Sequence, residues 1–319
     1  MRRPMISVVM PAHNERAALR CLVQDVVSAL QPWSVEIIIV DDGSTDGTWD
    51  EVQALSAEWF EVRGVRLTRN CGHQAALAAG LRAAAGSAVI TMDADGQHPP
   101  DLLPTFIRLW EGGSRVVQSV RTDSTDEKWL KRTTSNGFYR LWSLLSGVPM
   151  VRGAADFRLL DRQALDVVLA SGGSLTFLRG LIHWLGYEIR YVSFQPKERI
   201  GGRSRYTWPR MVRLSLDGLM AFSVLPLRLA MALGIAMSLL SFSYLCYILV
   251  TWMYSSRVVT GWASIAGLVA LIGGIQLFTI GVLGEYVGRI FLRTTDRPQF
   301  VIAETVGSAA VKSILPAGR

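Results

Sequence analysis

Two long stretches without a charged residue constrain this chain more than any other feature. One lies between Arg228 and Arg257, the next between Arg257 and Glu285. Each exceeds the ~20 residues that an α-helix needs to cross a ~30 Å hydrocarbon core. A soluble protein can bury one such helix, but two in tandem call for a transmembrane hairpin over 223–288, with spans near 229–253 and 262–284. Flanking charge sets its orientation. Arg205, Arg210, Arg213 and Arg228 precede the first span, Arg289, Arg293 and Arg297 follow the second, and the turn carries Arg257 alone. The positive-inside rule then puts both ends, and with them both termini, in the cytoplasm. Trp252, Tyr254 and Trp262 stand where an interfacial aromatic belt is expected.

Ahead of the hairpin the pattern changes. Short β-branched runs (6–10, 36–40, 62–67, 88–92 and 115–119) alternate with amphipathic helical patterns at 16–30, 48–58, 74–85 and 101–110. Such alternation predicts an α/β domain with a mostly parallel sheet covered on both faces. Ligands bind such sheets at the carboxyl ends of the strands. The middle of the chain, about 120–222, is mixed and rich in Arg and Trp. It reads as the acceptor-side half of the same domain, closed by an amphipathic interfacial helix at 208–222. The expected division is therefore a domain over 1–222, the hairpin over 223–288, and a C-terminal tail over 289–319. Net charge is +7, which calls for an anionic partner such as a membrane phosphate or a phosphorylated substrate. Cys21, Cys71 and Cys246 are too scattered for a disulfide framework or a metal-ligand spacing.

Chemistry-bearing residues do follow the strands. Pro11-Ala12-His13-Asn14-Glu15 closes the first and Asp41-Asp42-Gly43-Ser44 the second. Carboxylates there can accept hydrogen bonds from a nucleobase and ribose, and glycine allows close backbone approach. Asp93-Ala94-Asp95 follows the fourth strand and leads into Gly96-Gln97-His98-Pro99-Pro100. Two carboxylates two residues apart on a loop can face one Mg2+ or Mn2+ together with a diphosphate.

Together with Arg69-Asn70-Cys71-Gly72-His73-Gln74, Asp156-Phe157-Arg158, Arg199 to Tyr206, Phe222 to Arg228 and Gly284 to Arg289, these motifs resemble the family 2 glycosyltransferases of the GT-A fold. Within that family the late motifs look like the polyprenyl-phosphate hexosyltransferases, the group of bactoprenol glucosyltransferase and dolichyl-phosphate mannose synthase. The family more often carries an aromatic at the position of His13, an acid or amide at His98, and Gly-Glu-Ser-Lys-Tyr where this chain reads Gly-Arg-Ser-Arg-Tyr.

The resemblance implies inverting transfer of a hexose from a nucleotide sugar, UDP-glucose foremost, to undecaprenyl or another polyprenyl phosphate, for cell-envelope glycan or glycolipid modification. Asp93 and Asp95, with Gln97 beside them, would hold the metal that neutralises the leaving diphosphate. Pro11, Asn14, Glu15 and Asp42 would line the nucleoside site. Arg121 and Arg132 would hold the acceptor phosphate, with Arg199, Ser204 and Arg205 closing over donor or acceptor phosphate. Asp156 would act as a base or orient the acceptor. A homo-oligomer in the cytoplasmic membrane is expected, with no nucleic-acid partner. The alternatives are a processive polysaccharide synthase, which would need more spans and a Gln-x-x-Arg-Trp motif, or a family 2 enzyme with a non-lipid acceptor. Pro11 to Glu15 stands where a nicotinamide oxidoreductase would carry Gly-x-Gly-x-x-Gly.

Overall fold

A computed structural model describes residues 5–122, 153–171, 178–196, 225–254, 261–295 and 298–307. The interfacial helix expected at 208–222 and the turn around Arg257 lie outside these residues. The chain forms two compact units, one holding the sheet and its helices, the other the two long helices near the C-terminus.

In the first unit the expected alternation is present. Strand β1 (Met5–Ala12) leads into helix α1 (Arg16–Ala29), then β2 (Ser34–Asp41), α2 (Thr48–Glu58), β3 (Val62–Leu67), α3 (His73–Ala83) and β4 (Ala88–Thr91). A short 3-10 turn (Pro100–Leu102), α4 (Leu103–Glu111) and β5 (Val116–Arg121) follow, then β6 (Ala154–Asp161), α5 (Arg162–Ala170), α6 (Leu178–Trp184), β7 (Ile189–Phe194) and, after the long helices, β8 (Ile302–Val306). The sheet runs β7-β5-β6-β4-β1-β2-β3-β8. Strands β4, β1, β2 and β3 are mutually parallel. Strand β6 enters antiparallel between β4 and β5, and β8 closes the far edge antiparallel to β3.

Burial explains why these segments are strands. Ile37-Ile38-Ile39-Val40 is wholly buried, because helices cover both faces of β2 and neither set of alternating side chains meets water. One apolar cluster joins Ile6, Val8 and Met10 to α1, α2 and α4; the other joins Val9, Ile38 and Val40 to α3 and α5. Helix α1 buries Ala18, Leu19, Leu22, Val23 and Val26, the stripe its 3.6-residue period dictates. Order reverses at β1, which connects onward to β2 on one side and pairs with β4 on the other. A crevice is expected at such a switch point, above the carboxyl ends of β1 and β4.

The opposite end of the sheet is closed by a buried charge. Glu36 accepts hydrogen bonds from the Ser7 hydroxyl (2.5 Å), the Arg63 guanidinium (2.8 Å) and the backbone N–H groups of Ala85 (2.6 Å) and Gly86 (3.1 Å). This ties β1, β2, β3 and the α3–β4 turn together.

Sequence reading placed 289–319 in a tail. Instead the second long helix (Trp262–Thr294) runs past that boundary, and 302–306 adds an edge strand whose Ile302 and Val306 pack against the two core clusters. Five residues with two inward apolar positions gave too short an alternation to stand out. Strands β6 and β7, in the segment read only as mixed, complete the sheet.

The second unit pairs α7 (Leu225–Tyr254) with α8 (Trp262–Thr294). Each holds a window apolar enough to cross a membrane: Leu227–Tyr244, 6% buried, and Gly267–Gly288, 0% buried. Side chains such as Leu229, Phe242, Leu277 and Phe278 stand exposed all around these helices. An apolar surface of that extent has no stable solution in water and suits hydrocarbon. Both helices extend beyond the spans expected at 229–253 and 262–284.

Packing on the sheet leads to a stability prediction. A Cβ added at Gly80 of α3 would clash with Val9 Cγ1 and stand 3.0 Å from Val40 Cγ2, both fixed in buried strands. Alanine gains up to about 1 kcal/mol of helix propensity there, but overpacking costs about 1–3 kcal/mol. Gly80→Ala should therefore lower the thermal midpoint of the detergent-solubilised protein; an unchanged or raised midpoint would mean that α3 is free to lift from the sheet.

Candidate active site

Four loops leave the carboxyl ends of β1 to β4, and hydrogen bonds knit them in pairs. The first two interlock through Asn14, which adopts a left-handed conformation (φ 59°). Its N–H donates to Ser44 Oγ at 3.0 Å, and its side-chain oxygen accepts the Thr45 N–H at 2.9 Å. Asparagine tolerates this conformation better than other non-glycine residues. The Glu15 N–H donates to Thr48 Oγ1 (3.1 Å) at the start of α2. Pro11 is buried in β1, paired with Val40.

Asp42 fastens the second loop to the third. Its carboxylate, 3% exposed, accepts the Cys71 N–H at 2.7 Å and the Gly72 N–H at 2.9 Å. Gly72 has φ 94°, a conformation open to glycine, and the chain turns there directly into α3. Asp42 thus fixes where α3 begins. His13 spans the same loops: its Nδ1 donates to the Asp42 carbonyl at 3.0 Å, leaving Nε2 to accept from the Asn70 amide at 3.1 Å.

The acidic loop after β4 is braced from beneath. His98, 5% exposed, stacks on Phe157 at 4.9 Å and meets Phe194 edge-on at 5.7 Å. Its Nδ1 accepts the Asp93 N–H at 2.9 Å, which assigns the proton of the neutral ring to Nε2. Burial pushes its pKa below the ordinary histidine value, against the opposing pull of Asp93, Asp95 and Asp156. Within the loop, Asp95 Oδ1 accepts the Gln97 N–H at 3.1 Å, and Gly96 takes φ 77°. The Arg121 guanidinium reaches Gln97 Oε1 at 3.4 Å from the end of β5.

Because β6 runs antiparallel to β4, it begins where β4 ends. Thr91 donates to the Asp156 carbonyl at 2.6 Å and seats that residue beside the acidic loop. Asp156 and Arg158 are two apart on the strand, hence on one face, and their side chains form a buried ion pair. The Gln74 amide donates to Asp156 Oδ2 at 3.4 Å. His73, first residue of α3, stands between the two acids, with Nε2 at 3.6 Å from both Asp93 Oδ1 and Asp156 Oδ2.

The structure therefore gathers Asp93, Asp95, Gln97, Arg121 and Asp156 at one place and Asn14, Glu15 and Asp42 in the adjoining loops. Arg132, Arg199, Ser204 and Arg205 lie outside the described residues. Sequence reasoning carried His73, Gln74 and Arg158 within motifs but gave them no place in the site. The period-2 spacing of Asp156 and Arg158 was a usable signal once 154–161 is known to be a strand. Convergence of His73 with the acids required the tertiary fold.

Among the described residues, no three His, Cys, Asp or Glu side chains are arranged to enclose a metal ion. Two carboxylates on one loop nonetheless suit a hard cation that completes its shell with substrate phosphate oxygens and water. Asp93 Oδ1 is consistent with that use: it is buried and has no hydrogen-bond partner.

Comparison with known proteins bears on the family and the fold. The pattern described as Glycosyl transferase family 2 matches residues 7–169, and that of the GtrB C-terminal hairpin matches 225–290. The uncharacterized glycosyltransferase YkcC of Bacillus subtilis is 34% identical, covering 94% of this chain and 94% of its own. The SfII prophage-derived bactoprenol glucosyl transferase of Shigella flexneri is 33% identical, covering 94% of this chain and 98% of its own. A solved mycobacterial protein, 21% identical, shares the fold over 69% of this chain and 75% of its own with a TM-score of 0.50. The chain belongs to the family 2 glycosyltransferases: it is a glycosyltransferase whose GT-A sheet is joined to a GtrB-type C-terminal hairpin.

Proposed function

We propose that this glycosyltransferase moves a hexose from a nucleotide sugar, UDP-glucose foremost, onto a polyprenyl phosphate at the membrane, inverting the anomeric carbon. The observation that carries the reading is the meeting of Asp93, Asp156 and His73, with His73 Nε2 at 3.6 Å from both acids, beyond the carboxyl end of β4. The long apolar helices and the bactoprenol glucosyl transferase relatives support a lipid acceptor. The catalytic body comprises residues 1–222 with β8. The hairpin spans the bilayer with both ends on the cytoplasmic side, as the flanking arginines favour.

The chemistry follows from charge. A lipid phosphate oxygen is already anionic near neutral pH, so the nucleophile needs alignment more than deprotonation. Asp93 and Asp95 would hold Mg2+ or Mn2+, which supplies Lewis-acid neutralisation of the departing diphosphate. Asn14, Glu15 and Asp42 build the nucleoside side of the site by fixing its loops. Asp156, paired with the Arg158 guanidinium, orients the sugar, with His73 and Gln74 beside it. Arg121, tied to Gln97, holds the incoming phosphate next to the acidic loop. Arg132, Arg199, Ser204 and Arg205 complete the phosphate contacts in this reading.

Purified protein in detergent, given undecaprenyl phosphate, divalent metal and a panel of nucleotide sugars, should form one glycosyl-phosphoryl lipid of inverted anomeric configuration. EDTA should abolish product formation, and Asp95→Asn should lower kcat at least ~100-fold. Sugar found on a non-lipid acceptor, or nucleotide hydrolysis alone, would refute the lipid assignment. Arg121→Ala should raise the KM for the lipid phosphate about tenfold, corresponding to ~1.4 kcal/mol, and leave the donor KM near wild type. A change confined to the donor KM would place Arg121 on the other substrate.

A further inference from the structure

Strand β8 lies after the hairpin in sequence, yet its side chains lead back to the loop that follows β2. Glu304 stands opposite Arg66 in the antiparallel β3–β8 ladder, and the register shifts between Arg66 and Leu67. Opposite charges facing each other across a ladder attract, and a register shift next to a functional loop re-aims the side chains around it. Glu304 accepts the indole N–H of Trp49 at 3.1 Å and the Gln53 amide at 3.2 Å, both on α2. Trp49 is 4% exposed, so its ring packs in the core while its one polar group depends on Glu304.

From there the contacts continue towards the crevice. The Arg66 guanidinium lies 5.7 Å from the centre of the Trp49 ring, within cation–π range. Its Nε stands 3.6 Å from Asp41 Oδ2, an oxygen that is buried and lacks a hydrogen-bond partner. The other Asp41 oxygen accepts the Ser44 N–H at 3.0 Å, and Ser44 Oγ receives the Asn14 N–H. Asp41 is fully buried, and the neighbouring Arg66 guanidinium offsets the cost of taking its carboxylate out of water.

We propose that Glu304 is a positioning residue for the loop 41–47, acting through Trp49, Arg66 and Asp41 to hold the Ser44–Asn14 junction in its binding shape. Its catalytic consequence rests on the reading of that loop as part of the donor site. The strand after the hairpin thereby does more than cover a sheet edge: its Glu304 holds the Trp49 indole, over which the Arg66 guanidinium lies beside Asp41.

Full-length Glu304→Ala and Glu304→Gln proteins in detergent, compared with wild type, provide the test. Backbone hydrogen exchange is read over 41–48, which carries the Ser44 and Thr45 N–H groups, and over β1 and β4 as internal controls. In Glu304→Ala, exchange over 41–48 should quicken about fivefold while β1 and β4 keep wild-type rates. Glu304→Gln, which retains an acceptor oxygen for the indole, should fall nearer wild type. In the transfer assay, the donor KM should rise about fivefold with kcat and the acceptor KM unchanged. Unaltered exchange over 41–48 would overturn the proposal. So would exchange that quickens equally across the sheet, since Glu304 would then serve edge stability alone. The exchange measurement needs no substrate, so a wrong donor assignment would surface as absent transfer in wild type, separately from failure of the coupling.

Discussion

Buried negative charge at one end of the sheet governs the rest of this molecule. Asp41, Asp42, Asp95 and Asp156 are each at most 9% exposed, and all stand at the carboxyl ends of the parallel strands or at the start of β6. A carboxylate withdrawn from water costs several kcal/mol unless hydrogen bonds and cations replace its hydration. The fold replaces it group by group. Backbone N–H donors serve Asp42, Ser44 N–H and Arg66 serve Asp41, Arg158 serves Asp156, and the Gln97 N–H serves Asp95. The backbone bonds to Asp41, Asp42 and Asp95 also fix loops, so solvating these acids and shaping the strand ends are one process. On the acidic loop, Asp93 Oδ1 is buried without a hydrogen-bond partner, with His73 Nε2 at 3.6 Å, and suits a cation and the phosphate it would bring.

Much of this was legible in the sequence because it is local. Apolar runs bounded by Gly, Asp and Asn located β1 to β5 to within a few residues, and the strand-end rule directed attention to 11–15, 41–44 and 93–97. Two uncharged runs announced α7 and α8 by length alone. The remainder was hidden because it is non-local. Strand β8 has too few inward residues to show a period, and its place beside β3 depends on pairing across most of the chain. His98 read as a neighbour of the acidic loop by position, whereas the fold makes it the brace beneath Asp93, stacked on Phe157. His73 carries no spacing relation to Asp93 or Asp156; only α3 pressed onto the sheet at Gly80 brings it between them.

The same constraint explains the division of labour among the acids. Asp42, expected to line the nucleoside site, receives a backbone N–H on each of its oxygens and so also fixes the entry to α3. Asp93 and Asp95 sit on a loop whose backbone is held by His98 and Gly96, which sets their directions before any ligand arrives. Preorganisation of this kind is where an enzyme of anionic substrates gains most, since water would otherwise have to reorganise around the departing charge.

In the proposed mechanism the acidic loop is an incomplete cation site that the donor's diphosphate would finish. Electron paramagnetic resonance of Mn2+ added to the purified protein, with and without UDP, tests it directly. Mn2+ alone should bind weakly. UDP should tighten it at least about tenfold, or ~1.4 kcal/mol, and Asp93→Asn should erase most of that gain. Equal Mn2+ affinity with and without UDP, or a gain undiminished in Asp93→Asn, would contradict the claim and move the metal elsewhere in the molecule.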